Sequence, residues 1–342
     1  MKSIHILISL SILFVSCQKE EISFSENAKD HFFLKNDNAE MPVWVEGNTL
    51  SKTFVLFLHG GPGGSSIGYN ELNIFSSLET QYAVVYWDQR CAGASQGNCN
   101  PDDLNVNSFV QDLDQLIEVL KYRYGQDISV FLLGDSWGGT LATAYMTTDN
   151  LQQKIKGSLV TVGVHNFPLM MQKRQEMLNF YADQQILIGN RVNEWEKIKL
   201  EISGIDLTTL DALNILQTHA NTAQEYLSEL DSIQSITLSG GSPNSLGFSY
   251  IINGNITGNV MWPQLLEYDL SDKLSNINVP VSLFYGKYDF IVPPSIGTHY
   301  FENLTTTNKE LHIIDHADHY LGVTNGLGDF YPKVIAFIEA YK

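Results

Sequence analysis

The sequence predicts an α/β fold: a mostly parallel sheet with helices on both faces and a mainly helical segment inserted after the sixth strand. Three observations predict it. Short apolar, β-branched runs at residues 54–58, 82–87, 128–133 and 157–163 alternate with stretches of helical spacing. The run at 128–133 passes through Gly134-Asp-Ser-Trp-Gly138 into the apolar stretch 141–146, which leaves room only for a tight strand-to-helix turn. From about residue 165 to 270 the spacing is helical throughout, after which strands at 279–285 and 310–315 restore the alternation.

The tight turn sets the order in which the other elements matter. Gly134 and Gly138 flank Ser136, where a Cβ would collide as the chain doubles back. The turn pushes the Ser136 hydroxyl out of the sheet, beside the positive end of the helix that follows. Serine is a weak nucleophile at neutral pH and needs a base, and the base needs an orienter. Parallel sheets gather their chemistry at the carboxyl ends of strands. The strand at 279–285 runs into Gly286-Lys-Tyr-Asp289, and the strand at 310–315 runs into His316-Ala-Asp-His319. Asp289 is the candidate orienter. Loop length favours His319 as the base over His316, which lies close to the strand end.

The strand at 54–58 delivers the chain to His59-Gly-Gly-Pro-Gly-Gly64. Glycines let a backbone approach a substrate closely, and acyl transfer needs two N–H groups to hold an oxyanion. The N–H groups of Gly61 and of Trp137, the residue after the serine, are the candidates. A phosphate loop would end in Gly-Lys-Ser/Thr, which is absent here. Residues 106–124 carry apolar positions at Phe109, Val110, Leu113, Leu116, Ile117 and Leu120, the spacing of a helix leading to the serine strand.

Composition bounds the partners. Hydrophobic residues make up 44% of the 342, enough for a sizeable core, and the net charge is −18. So acidic a chain is a poor match for nucleic acid, which needs clustered cations. No Cys/His spacing suggests a metal site, and no cofactor is expected. Residues 1–17 have a short basic start, an apolar run too brief for a comfortable span and a small residue before Cys17. Ser16-Cys17 resembles a bacterial lipoprotein box, with Phe14 where Leu is usual, so Cys17 is the expected lipidation site. The implied localisation is an exported lipoprotein anchored at the periplasmic or outer surface, touching the membrane through the lipid only. Residues 18–40 are expected to form a polar tether, 41–164 and 271–342 the α/β core, and 165–270 a helical cap. Cys91 and Cys99 bracket a short polar loop, and an exported chain meets an oxidising compartment, so a Cys91–Cys99 disulfide is expected.

Taken together, these motifs resemble the prolyl aminopeptidase (proline iminopeptidase) branch of the α/β-hydrolase superfamily. His59 to Gly63 matches its oxyanion loop, and Asp88-Gln89-Arg90 with Gly93 and Ser95 matches its Asp-Gln-Arg-Gly-x-Gly-x-Ser stretch. Gly134 to Gly139 matches Gly-Gly-Ser-Trp-Gly-Gly, and Gly286 to Asp289 matches Gly-Arg-x-Asp. The resemblance covers about residues 42–164 and 279–342. It departs at Asp135 and Cys91, each in place of glycine, and at Asp318, which precedes His319 where glycine is common. It implies a serine hydrolase with a Ser136–His319–Asp289 triad that releases N-terminal residues, proline above all, from short peptides. The family holds the substrate amine with cap acids, one in Trp-x-x-Trp-Glu. Here Trp195-Glu196 corresponds, with Val192 at the first Trp, making Glu196 the candidate amine site. The same chemistry serves a carboxylesterase or lactonase, and a non-catalytic ligand-binding lipoprotein is the reading from another class. An epoxide hydrolase or dehalogenase would want Asp at position 136.

Overall fold

The parallel strands expected from the sequence lie side by side in one twisted layer. The protein is seen here as a computed structural model that describes residues 22–97, 99–231, 246–321 and 327–342. Among these residues the strands are β1 (Ala28–Asn36), β2 (Ala39–Gly47), β3 (Thr53–Leu58), β4 (Ala83–Trp87), β5 (Gln96–Gly97), β6 (Ser129–Asp135), β7 (Gly157–Thr161), β8 (Val281–Gly286) and β9 (Lys309–Ile314). Their order is β1-β2-β4-β3-β6-β7-β8-β9, with two-residue β5 beside β2. The run from β4 to β9 is parallel, and only the β1–β2–β4 and β2–β5 pairings are antiparallel. Every residue of β3, β4, β7 and β8 is buried, as in strands covered on both faces.

The helices are α1 (Ile67–Glu71), α2 (Ser76–Glu79), α3 (Val106–Tyr124), α4 (Trp137–Met146), α5 (Phe167–Leu187), α6 (Val192–Ile202), α7 (Leu210–Asp231), α8 (Leu246–Leu265), α9 (Pro294–Asn303) and α10 (Leu327–Tyr341). The helix α3 buries the six apolar positions that its spacing marks. It starts where the Asn105 side chain accepts the Ser108 N–H at 3.0 Å, satisfying one of the orphan donors of the first turn. The elbow helix α4 is buried at all its residues, so it can face neither solvent nor a variable partner.

One boundary differs from the sequence expectation. Residues 28–36, assigned there to a tether, form β1 and pair with β2 along their whole length. Asp37 and Asn38 make the hairpin turn with φ of 45° and 64°. Positive φ at both central positions is what a type I′ two-residue hairpin turn needs. Asn36 then donates to Asp112 Oδ1 at 2.8 Å, and Asp112 takes the Arg90 guanidinium in a two-pronged buried pair. This network fastens β1 to the core. Cys17 and the leader lie outside the described residues.

The helices α5 to α8 occupy the stretch 165–270, inserted after β7. That strand is the sixth when β5 is set aside. The chain leaves and rejoins the core side by side: Phe167 N donates to Tyr268 O at 3.0 Å and Leu270 N to His165 O at 2.8 Å. A second tie comes from α8, where Thr257 Oγ1 donates to the Cys91 carbonyl at 2.6 Å and Asn253 reaches the Gly93 carbonyl at 3.1 Å. Cys91 has φ 48°, a conformation easier for the glycine of the resembled motif, and the sulfurs of Cys91 and Cys99 are bonded, their Cα atoms 5.1 Å apart.

Backbones meet most closely at the elbow. A Cβ on Gly138 would stand 1.9 Å from the Leu58 carbonyl oxygen, whereas one on Gly68 meets nothing within 4 Å. Gly138→Ala is therefore expected to destabilise the protein by about 3 kcal/mol or more, because β3 or α4 must move. Gly68→Ala, on the same measure, should be neutral or slightly stabilising. Denaturant melts of the two proteins check this, and equal midpoints would refute the reading of the elbow as the tightest point of the core.

Candidate active site

Every expected catalytic side chain sits past the carboxyl end of a strand in the parallel run. Ser136 follows β6, Asp289 follows β8, His319 follows β9 and the glycine loop follows β3. Ser136 has φ 52° and ψ −113°, a sparsely populated backbone state held by its neighbours. Its own N–H donates to Thr161 O at 2.8 Å, and a Cβ on Gly134 would lie 2.4 Å from the Gly138 carbonyl oxygen. The constraint that made both glycines necessary in the sequence is thus a direct backbone contact.

Three side chains form one chain of hydrogen bonds. His319 Nε2 lies 3.2 Å from Ser136 Oγ, and His319 Nδ1 lies 2.8 Å from Asp289 Oδ2. Asp289 is fully buried, and its other oxygen accepts the N–H groups of Ile291 at 2.9 Å and Val292 at 2.7 Å. Burial disfavours a charged His319, yet the Asp289 carboxylate, with Asp135 and Asp318 nearby, outweighs that and lifts the imidazole above its usual value. His316 is exposed with φ 56°, and is not among the residues lining the pocket.

Gly61 and Trp137 both line that pocket. Trp137 opens α4, so its N–H has no carbonyl one turn back to receive it. A residue that the sequence reading left without a role, Gln89, joins the two sides. Its N–H donates to His59 Nε2 at 3.1 Å, and its side-chain oxygen accepts Trp137 Nε1 at 2.8 Å. With Nε2 accepting, His59 is the neutral tautomer whose Nδ1–H faces the Gly60 carbonyl at 2.8 Å; burial keeps the ring uncharged. The rest of the motif is scaffolding. Asp88 accepts Ser66 N at 2.6 Å and Ala94 N at 2.8 Å, and Gly93 passes so close to it that a Cβ would lie 2.2 Å from the carboxylate. The Asp-Gln-Arg triplet in the sequence was the only signal for Gln89, and its role depends on three loops meeting.

The cavity over Ser136 has a volume of about 450 Å³, of the size that takes small ligands. The inserted helices roof it with Phe167, Met170, Trp262 and Leu265, and the core adds Phe57, Phe75 and Phe330. Arg174 of α5 is fully buried there. Its Nε donates to the Ile291 carbonyl at 2.9 Å, and burial pushes its guanidinium down to about 10 despite the Asp289 charge.

The expected amine site is not in this cavity. Glu196 is exposed on α6, whose buried residues are Trp195, Ile198 and Ile202. That spacing turns Glu194 and Glu196 to solvent, while Glu201 pairs with His219 at 2.9 Å. Glu196 is therefore corrected from a pocket residue to part of a solvated helix face. Among the described residues the acid that lines the pocket is Asp135.

These features agree with what the chain is similar to. It is 24% identical over 308 residues to a probable aminopeptidase, YbaC, of Bacillus subtilis (strain 168), covering 84% of this chain and 89% of that one. It is 27% identical over 244 residues to a proline iminopeptidase of Saccharolobus solfataricus, covering 68% of each. The crystal structure of a proline iminopeptidase from Mycobacterium smegmatis superposes with a TM-score of 0.64 at 15% identity, over 91% of this chain and 98% of that one. A sequence model of the alpha/beta hydrolase fold matches residues 53–325, and with the sheet, the elbow and the insertion it places the chain in the α/β-hydrolase fold family.

Proposed function

We propose that the protein is a serine hydrolase that removes N-terminal residues, proline-type residues among them, from short peptides. The observation that carries this reading is the Ser136–His319–Asp289 chain of contacts at 3.2 and 2.8 Å on the floor of a capped, apolar cavity. In this reading His319 Nε2 takes the Ser136 proton as Oγ attacks the scissile carbonyl. Asp289 holds the Nδ1–H tautomer and offsets the imidazolium charge. The Gly61 and Trp137 N–H groups receive the oxyanion, and His319 returns its proton to the leaving amine. Water then repeats the sequence on the acyl-enzyme. Inserted helices over the cavity suit short substrates, and the aminopeptidase names of the relatives support an amide over an ester. An exported lipoprotein, acylated at Cys17, is the location we propose for this activity. Cys17→Ser should then move the protein from the membrane fraction to the soluble one, and an unchanged distribution would refute the anchor.

The kinetic expectations follow from the contacts. Ser136→Ala should lower kcat by about a million-fold with an unaltered melting temperature, and His319→Ala by a similar factor. His316→Ala should change kcat less than tenfold. The base must be neutral, and its folded-state value is raised, so kcat/KM should climb with pH through a midpoint above the ordinary histidine value of about 6.5. Assays on aminoacyl arylamides across pH check both points. A dead His316→Ala enzyme, or an acid limb below 6.5, would contradict the assignment of His319.

A further inference from the structure

Asp135 stands where the resembled family carries glycine, and the mechanism above does not use it. Its carboxylate sits in the pocket wall beside the nucleophile. A methyl group placed on Gly60 would lie 3.3 Å from Asp135 Oδ2 and 3.3 Å from Ser136 Cβ, so carboxylate and serine flank the same point of the oxyanion loop. Tyr69 OH donates to Oδ2 at 3.1 Å. Thr161 Oγ1 lies 3.1 Å from Oδ1, and its single proton is also within reach of the Gly134 carbonyl at 3.0 Å. A carboxylate has about four acceptor positions, so two hydroxyls, one of them shared, leave it short of donors.

No lysine or arginine pairs with Asp135 among the described residues. The pocket's own guanidinium, Arg174, is turned to the Ile291 carbonyl on the Asp289 side. Among the described residues, His319 is the cation whose charge bears most on Asp135, and it is already tied to Asp289. Burial, with Asp289 adding repulsion, pushes the Asp135 carboxyl above its usual range, partly offset by His319 and the two hydroxyls. A half-buried acid in the wall of an apolar cavity, in that condition, is stabilised by an incoming cation. A peptide's terminal amine is protonated below its usual value of about 8, and it loses its hydration on entering an apolar cavity. In an aminopeptidase this amine lies two bonds from the carbonyl that Ser136 attacks.

We propose that Asp135 is the subsite for the substrate's protonated α-amine, which makes the pocket selective for unblocked N-termini and moves amine recognition from the cap to the residue before the nucleophile. The proposal rests on the serine hydrolase reading, and the test keeps the two apart. Proline p-nitroanilide, its N-acetyl form and p-nitrophenyl acetate are compared on the wild type, Asp135→Asn and Asp135→Gly, with fluorophosphonate labelling of each protein. Asn keeps the shape without the charge, and Gly restores the resembled motif.

The wild type should prefer the free amine over its acetylated form. Asp135→Asn should lower the ratio of kcat/KM for free amine to kcat/KM for ester by at least about thirty-fold, mainly through KM, as expected when one partner of a desolvated charge pair is removed. Asp135→Gly should give the same loss if the Asn variant folds poorly. Equal losses on all three substrates would make Asp135 a structural residue and overturn the proposal while leaving the hydrolase intact. Equal wild-type rates on free and acetylated amine would do the same. A wild type that neither labels nor cleaves the ester would overturn both readings.

Discussion

The structure depends on the meeting of two backbones. Gly138, the second residue of α4, lies against the carbonyl at the end of β3, where a Cβ would be 1.9 Å from the Leu58 oxygen. That contact lets β6 reverse into α4 within one residue and leaves Ser136 at the apex with φ 52°. The strain at the apex is held by the sheet, because Ser136 N is bonded across to Thr161 of β7. The same approach brings the loop after β3 beside the serine, so one constraint places the candidate nucleophile and the candidate oxyanion donors together. Gln89 then locks them in register by bonding both His59 and Trp137.

The charges of the pocket follow from what surrounds them. Asp289 is buried, and its two oxygens are engaged by two backbone N–H groups and by His319. Arg174 descends from the cap to the carbonyl of Ile291, the residue whose N–H serves Asp289. The inserted helix α5 is thereby hydrogen-bonded to the loop that carries the acid. Asp135 faces the opposite situation, half-buried in the pocket wall with hydroxyl donors alone. Asp289 and Asp135 therefore differ in their partners: backbone N–H groups and an imidazole for one, hydroxyls for the other.

Much of this was legible in the sequence, for a physical reason. Strands buried on both faces are mostly apolar, so β3, β4, β6, β7 and β8 stand out, and the residues just past them form the candidate site. The hairpin of β1 and β2 was missed because β1 alternates between solvent and core and its turn uses Asp37 and Asn38 rather than glycine. Glu196 was misplaced although Trp195, Ile198 and Ile202 already define the inward face of α6. Asp135 was visible as a departure from a motif, but its place in the pocket wall depends on the torsions of the elbow, which no spacing reveals. Gln89 was visible too, yet its partners come from loops some thirty and fifty residues away.

The central claim is that Ser136 is a nucleophile activated by His319. The most direct measurement is peptide mapping of the protein after reaction with a fluorophosphonate, with His319→Ala as comparison. The account predicts a single adduct, on Ser136, formed rapidly by the wild type and lost or strongly slowed without the imidazole. An adduct on another serine, or equal labelling rates with and without His319, would contradict it.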